Sequence, residues 1–410
     1  MKTDRSILRL CLISLMVTLA VTSCQKEREP GYDYFISNEL AVSFSETNIN
    51  NLLDIAAQTY PEIAAIKPYV TDGVNVYRMI YLTEIGGEEI EASGLVCVPA
   101  GKGKYPVLSF QNGTNTKHSD APTEKLTDVS YTLVETIASL GFIVVIPDYP
   151  GFGRSSQIPH PYLIAEPTVR SIVDMFRAVE EAAGTEFPGI TVKNEYYLAG
   201  YSQGGWATLT LHEALENDYG TEFNLAGSAC GAGSYNMYNL FITMTGTDTY
   251  PMPAYLAYII HAYSAYDQFT IPVNQILNDQ YAAKLNSLFT GTLSTGEINS
   301  QLTTSISGLF KSDFLSGFAS SQAYSSIRNA LINNSIAGWK TLKPLLFTHG
   351  QSDTSVPVAA TESMYDDMIE AGTSSTICRK IIFPGLEHGE GLIPCMIEGL
   401  SFLLEIRENQ

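Results

Sequence analysis

The chain is short of positive charge: its 410 residues carry 23 Lys and Arg against 43 Asp and Glu, a formal net charge of −20. Phosphate backbones are held by clustered basic side chains, so this balance excludes a nucleic-acid partner and reads as a solvated acidic surface. Cysteine is scarce as well. Of six, Cys11 and Cys24 fall in a leader, which leaves Cys97, Cys230, Cys378 and Cys395. Cys378 opens a strand pattern and Cys395 lies in the helix pattern behind it; six strand residues span roughly 20 Å, beyond disulfide reach. Cys97 and Cys230 sit in apolar strand contexts, so no structural disulfide is expected. No cluster of His, Cys, Asp and Glu has metal-ligand spacing, and neither a metal nor another cofactor is expected.

Long apolar runs are missing too. The run that leads the chain, Leu10 to Val21, follows Lys2, Arg5 and Arg9 and is too short to span a membrane comfortably. It ends in Val21-Thr22-Ser23-Cys24, which resembles a bacterial lipoprotein signal with Cys24 as the acylated first residue of the mature chain. That implies export and a lipid anchor in a bacterial cell membrane, on the periplasmic or cell-surface side of an outer membrane, with simple secretion after Ser23 as the rival. The polar stretch Gln25 to Pro30 suits a tether.

What the chain does have is a corner. Tyr196 to Ala199 read as a buried strand and Ala207 onward as a helix, so Gly200-Tyr201-Ser202-Gln203-Gly204 is a strand-to-helix turn. Such a turn forces the serine hydroxyl outward, and the helix start aims its free amides where an oxyanion would form. Alone, the same five residues could be a plain turn. Two later stretches add to it. Leu345 to Thr348 is an apolar strand leading into a turn with Asp353, and Arg379 to Phe383 leads into a turn with His388. Taken singly, Asp353 could cap a helix and His388 could be an ordinary turn histidine. Serine, acid, histidine is also the chain order of one hydrolase fold.

With the Pro147-Asp148-Tyr149-Pro150-Gly151-Phe152-Gly153 loop, these motifs resemble the α/β-hydrolase family over roughly residues 75 to 405, and within it the secreted lipases and esterases with a large inserted cap. The resemblance implies an α/β fold, a mostly parallel central sheet flanked by helices, with a largely helical cap. The leader pattern and the loss of βα units between about 231 and 342 give boundaries of 1–24 for the signal, 25–47 for a tether and N-terminal extension, 48–230 and 343–410 for the core, and 231–342 for the cap. The resemblance assigns Ser202 as nucleophile, His388 as base and acid, and Asp353 as the residue that fixes the imidazole. The oxyanion donors expected are the backbone of Gln203 and of the Asn112-Gly113-Thr114 loop, which departs from the His-Gly-Gly-Gly form; as an Asn-Gly turn former it also has a bland reading.

Secondary patterns fill in the frame. Asn48 to Tyr60 has helical spacing, Val74 to Glu84 and Glu89 to Pro99 form a hairpin at the sheet edge, and residues 166–183 form an amphipathic helix. Asp148 is expected to hold backbone, His118 to lie at the surface, and His261 to be a core or rim residue. Aromatic residues crowd the start of the cap, from Tyr235 to Phe269, and suit either its core or a pocket wall. The expected activity is hydrolysis of a small-molecule acyl ester through an acyl-enzyme on Ser202, with a peptidase of the same fold or a non-catalytic surface binding protein as alternatives. The oligomeric state is left open.

Overall fold

Every second residue of the central strands is apolar and buried on one side, and the other side is nearly as apolar. A sheet of that kind must be covered on both faces. The structure, a computed structural model, describes residues 31–126 and 128–409. The leader with Cys24 and the polar stretch to Pro30 therefore lie outside the described residues. Among those described, nine strands form one sheet: β1 (Phe35–Phe44), β2 (Val74–Ile85), β3 (Glu88–Pro99), β4 (Gly103–Gln111), β5 (Ile143–Pro147), β6 (Ile190–Tyr201), β7 (Leu225–Gly231), β8 (Leu345–Gly350) and β9 (Cys378–Phe383). Their order is β1-β2-β3-β5-β4-β6-β7-β8-β9. The first three strands run as an antiparallel meander joined to β5, and β5 through β9 pair in parallel.

The hairpin β2–β3 turns at Gly86-Gly87 as expected, but the sheet edge belongs to β1, within the stretch read as tether and extension. The pairing of β1 with β2 is irregular between Phe35 and Ser37 and again between Leu40 and Val42. Each irregularity resets the in-out alternation, so a period of two never builds up in its sequence.

One face of the sheet presents Leu95, Cys97, Leu108, Phe110, Val144, Tyr197 and Ala199 to a single buried cluster. Onto it pack α1 (Glu46–Ala56) through Ile49 and Leu53, and the C-terminal helix through Leu400, Leu403 and Leu404. The opposite face is covered by α3 (Ala165–Ala182), whose Phe176 meets Tyr196, and by α4 (Gln203–Asn217). Between β4 and β5 lies α2 (Val129–Glu135), continued by a tighter turn from Thr136 to Leu140 that Gly141 ends at φ 86°. All four cysteines of the described residues are buried free thiols.

After β7 the chain leaves the sheet until β8. The excursion holds α5 (Met237–Thr245), α6 (Pro253–Ala265), several shorter helical pieces of one to two turns and α7 (Ser325–Asn333). Most of its aromatics are core: Tyr235, Phe241, Tyr250, Tyr258, Tyr263 and Phe269 are buried. Trp206 of α4 ties it to the sheet by donating to the Asn334 carbonyl at 3.1 Å. Two helices complete the fold, α8 (Ala359–Glu370) and α9 (His388–Glu408). Among the described residues no helix is long and apolar enough to cross a membrane.

Candidate active site

Ser202 sits between β6 and α4 with φ 62° and ψ −120°, a backbone conformation that costs an L-residue on the order of 1–3 kcal/mol. Its N–H donates to the Gly231 carbonyl at 2.9 Å and its carbonyl accepts from Trp206 N at 3.1 Å, which hold the turn in place. Two glycines permit it. A Cβ on Gly200 would run into the Gly204 carbonyl, and one on Gly204 into the Gln111 carbonyl at the end of β4. The close approach of β4 to the turn brings Gly113 beside the Tyr201 carbonyl and the Ser202 Cβ.

The structure brings Ser202, His388 and Asp353 together from three strand ends. His388 Nε2 lies 2.9 Å from Ser202 Oγ, and its Nδ1 lies 2.6 Å from Asp353 Oδ2. Asp353 is fully ligated: Oδ1 accepts from the N–H groups of Ser355 at 2.9 Å and Val356 at 2.8 Å, while Oδ2 also faces His349 Nε2 at 3.1 Å. Burial raises this carboxyl's pKa, but the hydrogen bonds from His349 and His388, with charge and backbone contributions behind them, outweigh it and hold the group at about 2. An ionised acceptor therefore stands behind the imidazole at any pH near neutrality, which fixes Nδ1 as the protonated nitrogen and leaves Nε2 free to accept.

His388 is the first residue of α9, just past a capping box in which Glu387 caps the helix and Glu390 reaches back to the Glu387 N–H. Glu387 Oε2 also accepts from Thr354 N at 3.2 Å and Thr354 Oγ1 at 3.0 Å, which stitches the helix start to the acid turn. The Tyr201 hydroxyl donates to the His388 carbonyl at 2.6 Å. The ring thus has its nucleophile neighbour, its acid and its own backbone fixed by separate bonds.

Sequence reasoning passed over two histidines that bear on the site. His349 is wholly buried at the end of β8, with Nδ1 at 2.7 Å from Thr361 Oγ1 and Nε2 shared between Asp353 and the Val356 carbonyl. Its signal was its place four residues before the acid, inside a strand read only as apolar. His160 stands behind Gln203. Its Nδ1 is 2.7 Å from the Pro150 carbonyl and must donate, so Nε2 accepts from Gln203 Nε2 at 2.8 Å. Burial pulls His160 down to about 4, against the lift of both bonds, so it stays neutral and pins the first residue of α4.

The loop after β4 faces the same opening. Asn112, Gly113 and Thr114 line a cleft of about 350 Å³ together with Ser202, His388, Tyr201 and Tyr255. Among the described residues the backbone N–H groups of Gln203, Gly113 and Thr114 donate to no protein acceptor, and neither polar atom of the buried Asn112 amide has a partner. Thr114 Oγ1 lies 2.9 Å from the Tyr162 hydroxyl, and Tyr162 stacks on Tyr258 of α6 at 4.4 Å. Asp148 is buried and accepts from Ser93, from the Thr123 hydroxyl and from the Thr123 N–H. His261 is buried against Phe289 with Asn286 as its partner. His118 is half-buried: a loop of the excursion packs against it, and its backbone N–H donates to the Gly291 carbonyl at 2.7 Å. No group of three or more His, Cys, Asp or Glu among the described residues could hold a metal ion.

The profile of the secretory lipases matches residues 117–388, well over half of the chain, and spans Ser202, Asp353 and His388. The chain belongs to the secretory lipase family. No curated protein sequence matches it. Its fold is shared with the rice cell wall degrading esterase LipA from Xanthomonas oryzae, at a TM-score of 0.76 and 23% identity over 91% of this chain and 97% of that one. A Legionella pneumophila protein described only as a candidate hydrolase superposes at 0.80 and 23% identity over 91% and 98%. Candida antarctica lipase A in its closed state gives 0.65 and 14% over 93% and 86%. At these identities the three likenesses speak to the fold, and family membership places the chain among serine-type hydrolases.

Proposed function

We propose that this chain hydrolyses carboxylic esters through an acyl-enzyme on Ser202. The observation that carries the reading is the unbroken line from Ser202 Oγ through both nitrogens of His388 to an ionised, fully hydrogen-bonded Asp353, at the mouth of an apolar cleft. In the first half-reaction His388 Nε2 takes the Ser202 proton as Oγ bonds to the ester carbonyl carbon. The oxyanion turns toward the backbone N–H groups of Gln203 and of the Gly113-Thr114 loop. His388 then returns the proton to the alkoxide, the carbon–oxygen bond breaks and the alcohol leaves. Water repeats the sequence on the acyl-enzyme, releasing the acid and restoring Ser202. Asp353 keeps the proton on Nδ1 throughout and stabilises the imidazolium between the two transfers. The excursion between β7 and β8 is the inserted cap and meets this cleft through Tyr255, and the leader directs export with acylation at Cys24.

Incubation with a fluorophosphonate and with p-nitrophenyl acetate and butyrate tests the assignment. Labelling confined to Ser202 and turnover lost in Ser202→Ala are expected; an unlabelled Ser202 with no ester turnover rejects it. Dipeptide amides in parallel separate an esterase from a peptidase, since amide nitrogen demands stronger leaving-group protonation.

A further inference from the structure

The cleft at Ser202 does not run into the excursion, although that is where the aromatic residues crowd. Of the excursion only Tyr255 lines it. The other walls come from the opposite direction, from the N-terminal segment through Leu53, Ile63 and Ile66 and from the α2 region through Val134, Ile137 and Leu140. The long wall is α9. Leu392, Ile393, Met396, Ile397 and Leu400 all line the cleft, a spacing of one, three, one and three residues that keeps them on a single helical face. From His388 to Leu400 the helix rises about 18 Å at about 1.5 Å per residue. An apolar track therefore starts at the reacting serine and follows the helix away from it.

Resting on the ester hydrolase reading above, the geometry points to this track as the acyl-chain site, built for a linear saturated chain of about eight to twelve carbons. The length comes from the helix: its lining residues run from Leu392 to Leu400, about 12 Å at about 1.5 Å per residue, the length of about ten carbons of a straight chain. The α9 face is long enough to lay such a chain out straight, and half-buried aliphatic side chains offer it no hydrogen-bond partner, which selects against hydroxylated or charged acyl groups. Leu53 to Ile66 and Leu392 to Leu400 both fall outside the span that the secretory lipase profile matches. Ser202, Asp353 and His388 lie inside that span, as do Val134, Ile137 and Leu140 of the track.

The test is a series of p-nitrophenyl esters from acetate to palmitate, below the concentrations at which they aggregate, with kcat/KM read at each length. In the unaltered protein kcat/KM rises about fourfold per methylene as the chain is withdrawn from water, then levels off near twelve carbons. Two substitutions act as stops at different depths. Ile393→Trp, near His388, lowers the decanoate-to-butyrate ratio of kcat/KM by at least tenfold, whereas Leu400→Trp lowers the laurate-to-butyrate ratio and spares octanoate-to-butyrate. Leu342→Trp, at an exposed site of the excursion away from the cleft, leaves every ratio alone. Should a tryptophan variant fail to fold, the inactivation rate of the unaltered protein by alkyl fluorophosphonates of increasing length reads the same rise without any substitution. Ser202-dependent acetate turnover with a flat length series, or stops at both depths that cut at the same length, overturns the track and leaves the hydrolase standing. No Ser202-dependent turnover of any ester removes both.

Discussion

Glu135 gives a measurable handle on the wall of the cleft. It ends α2 between Val134 and Thr136, it is wholly buried, and neither carboxyl oxygen has a partner among the described residues. Burial alone pushes it from 4.5 to about 7. The folded-state value lies above the unfolded one, so between pH 4.5 and 7 the folded protein keeps a proton that the unfolded chain has released. Stability from this group is intact below pH 4.5, falls as pH rises through 7, and is flat beyond. The gap corresponds to roughly 3 kcal/mol at about 1.4 kcal/mol per pH unit. Glu135→Gln keeps the shape and removes the charge. Urea unfolding followed by circular dichroism at pH 5 and pH 8 should find the variant equal to or slightly weaker than the parent at pH 5, and stronger by as much as about 3 kcal/mol at pH 8. Other titrating groups, His160 and Asp353 among them, are common to both proteins and cancel in the difference. If that difference is the same at both pH values, the carboxyl is solvated or paired in solution and the reasoning fails.

Asp353→Asn should leave the fold intact and lower kcat by about four orders of magnitude, because an amide no longer fixes the imidazole tautomer; ester kinetics at neutral pH check it. His349→Gln should lower kcat by about tenfold through loss of a bond to a charged acceptor. Since His349 helps hold Asp353 at about 2, its loss should also move the acid limb of kcat/KM upward in pH, which a packing defect alone would not do. Cys24→Ala should shift the protein from the membrane to the soluble fraction and abolish incorporation of labelled palmitate; unchanged partitioning argues against acylation there.

The corner at Ser202 and the turns holding Asp353 and His388 were legible because each depends on a few adjacent residues: two glycines that the backbone cannot do without, and polar residues just past an apolar strand. What was not legible depends on partners distant in sequence. His349 reads as an interior strand residue until Asp353 folds back onto it, and His160 means nothing without the carbonyl of Pro150. The β1 strand was hidden by its two register irregularities, which erase the alternation a reader relies on. The aromatics of the excursion pointed to a pocket wall as readily as to a core. Their spacing is the same in both cases, and only the sheet's other face, where α1, α2 and α9 meet, decides where the opening lies.

His388 begins the same helix whose side chains, one to three turns later, would lie against the substrate. Recognition and proton transfer are therefore mounted on one rod. A substitution that widens or narrows the track also shifts the stem on which the imidazole stands, so in this molecule a change of taste and a change of speed arrive together, and selection for one should leave its mark on the other.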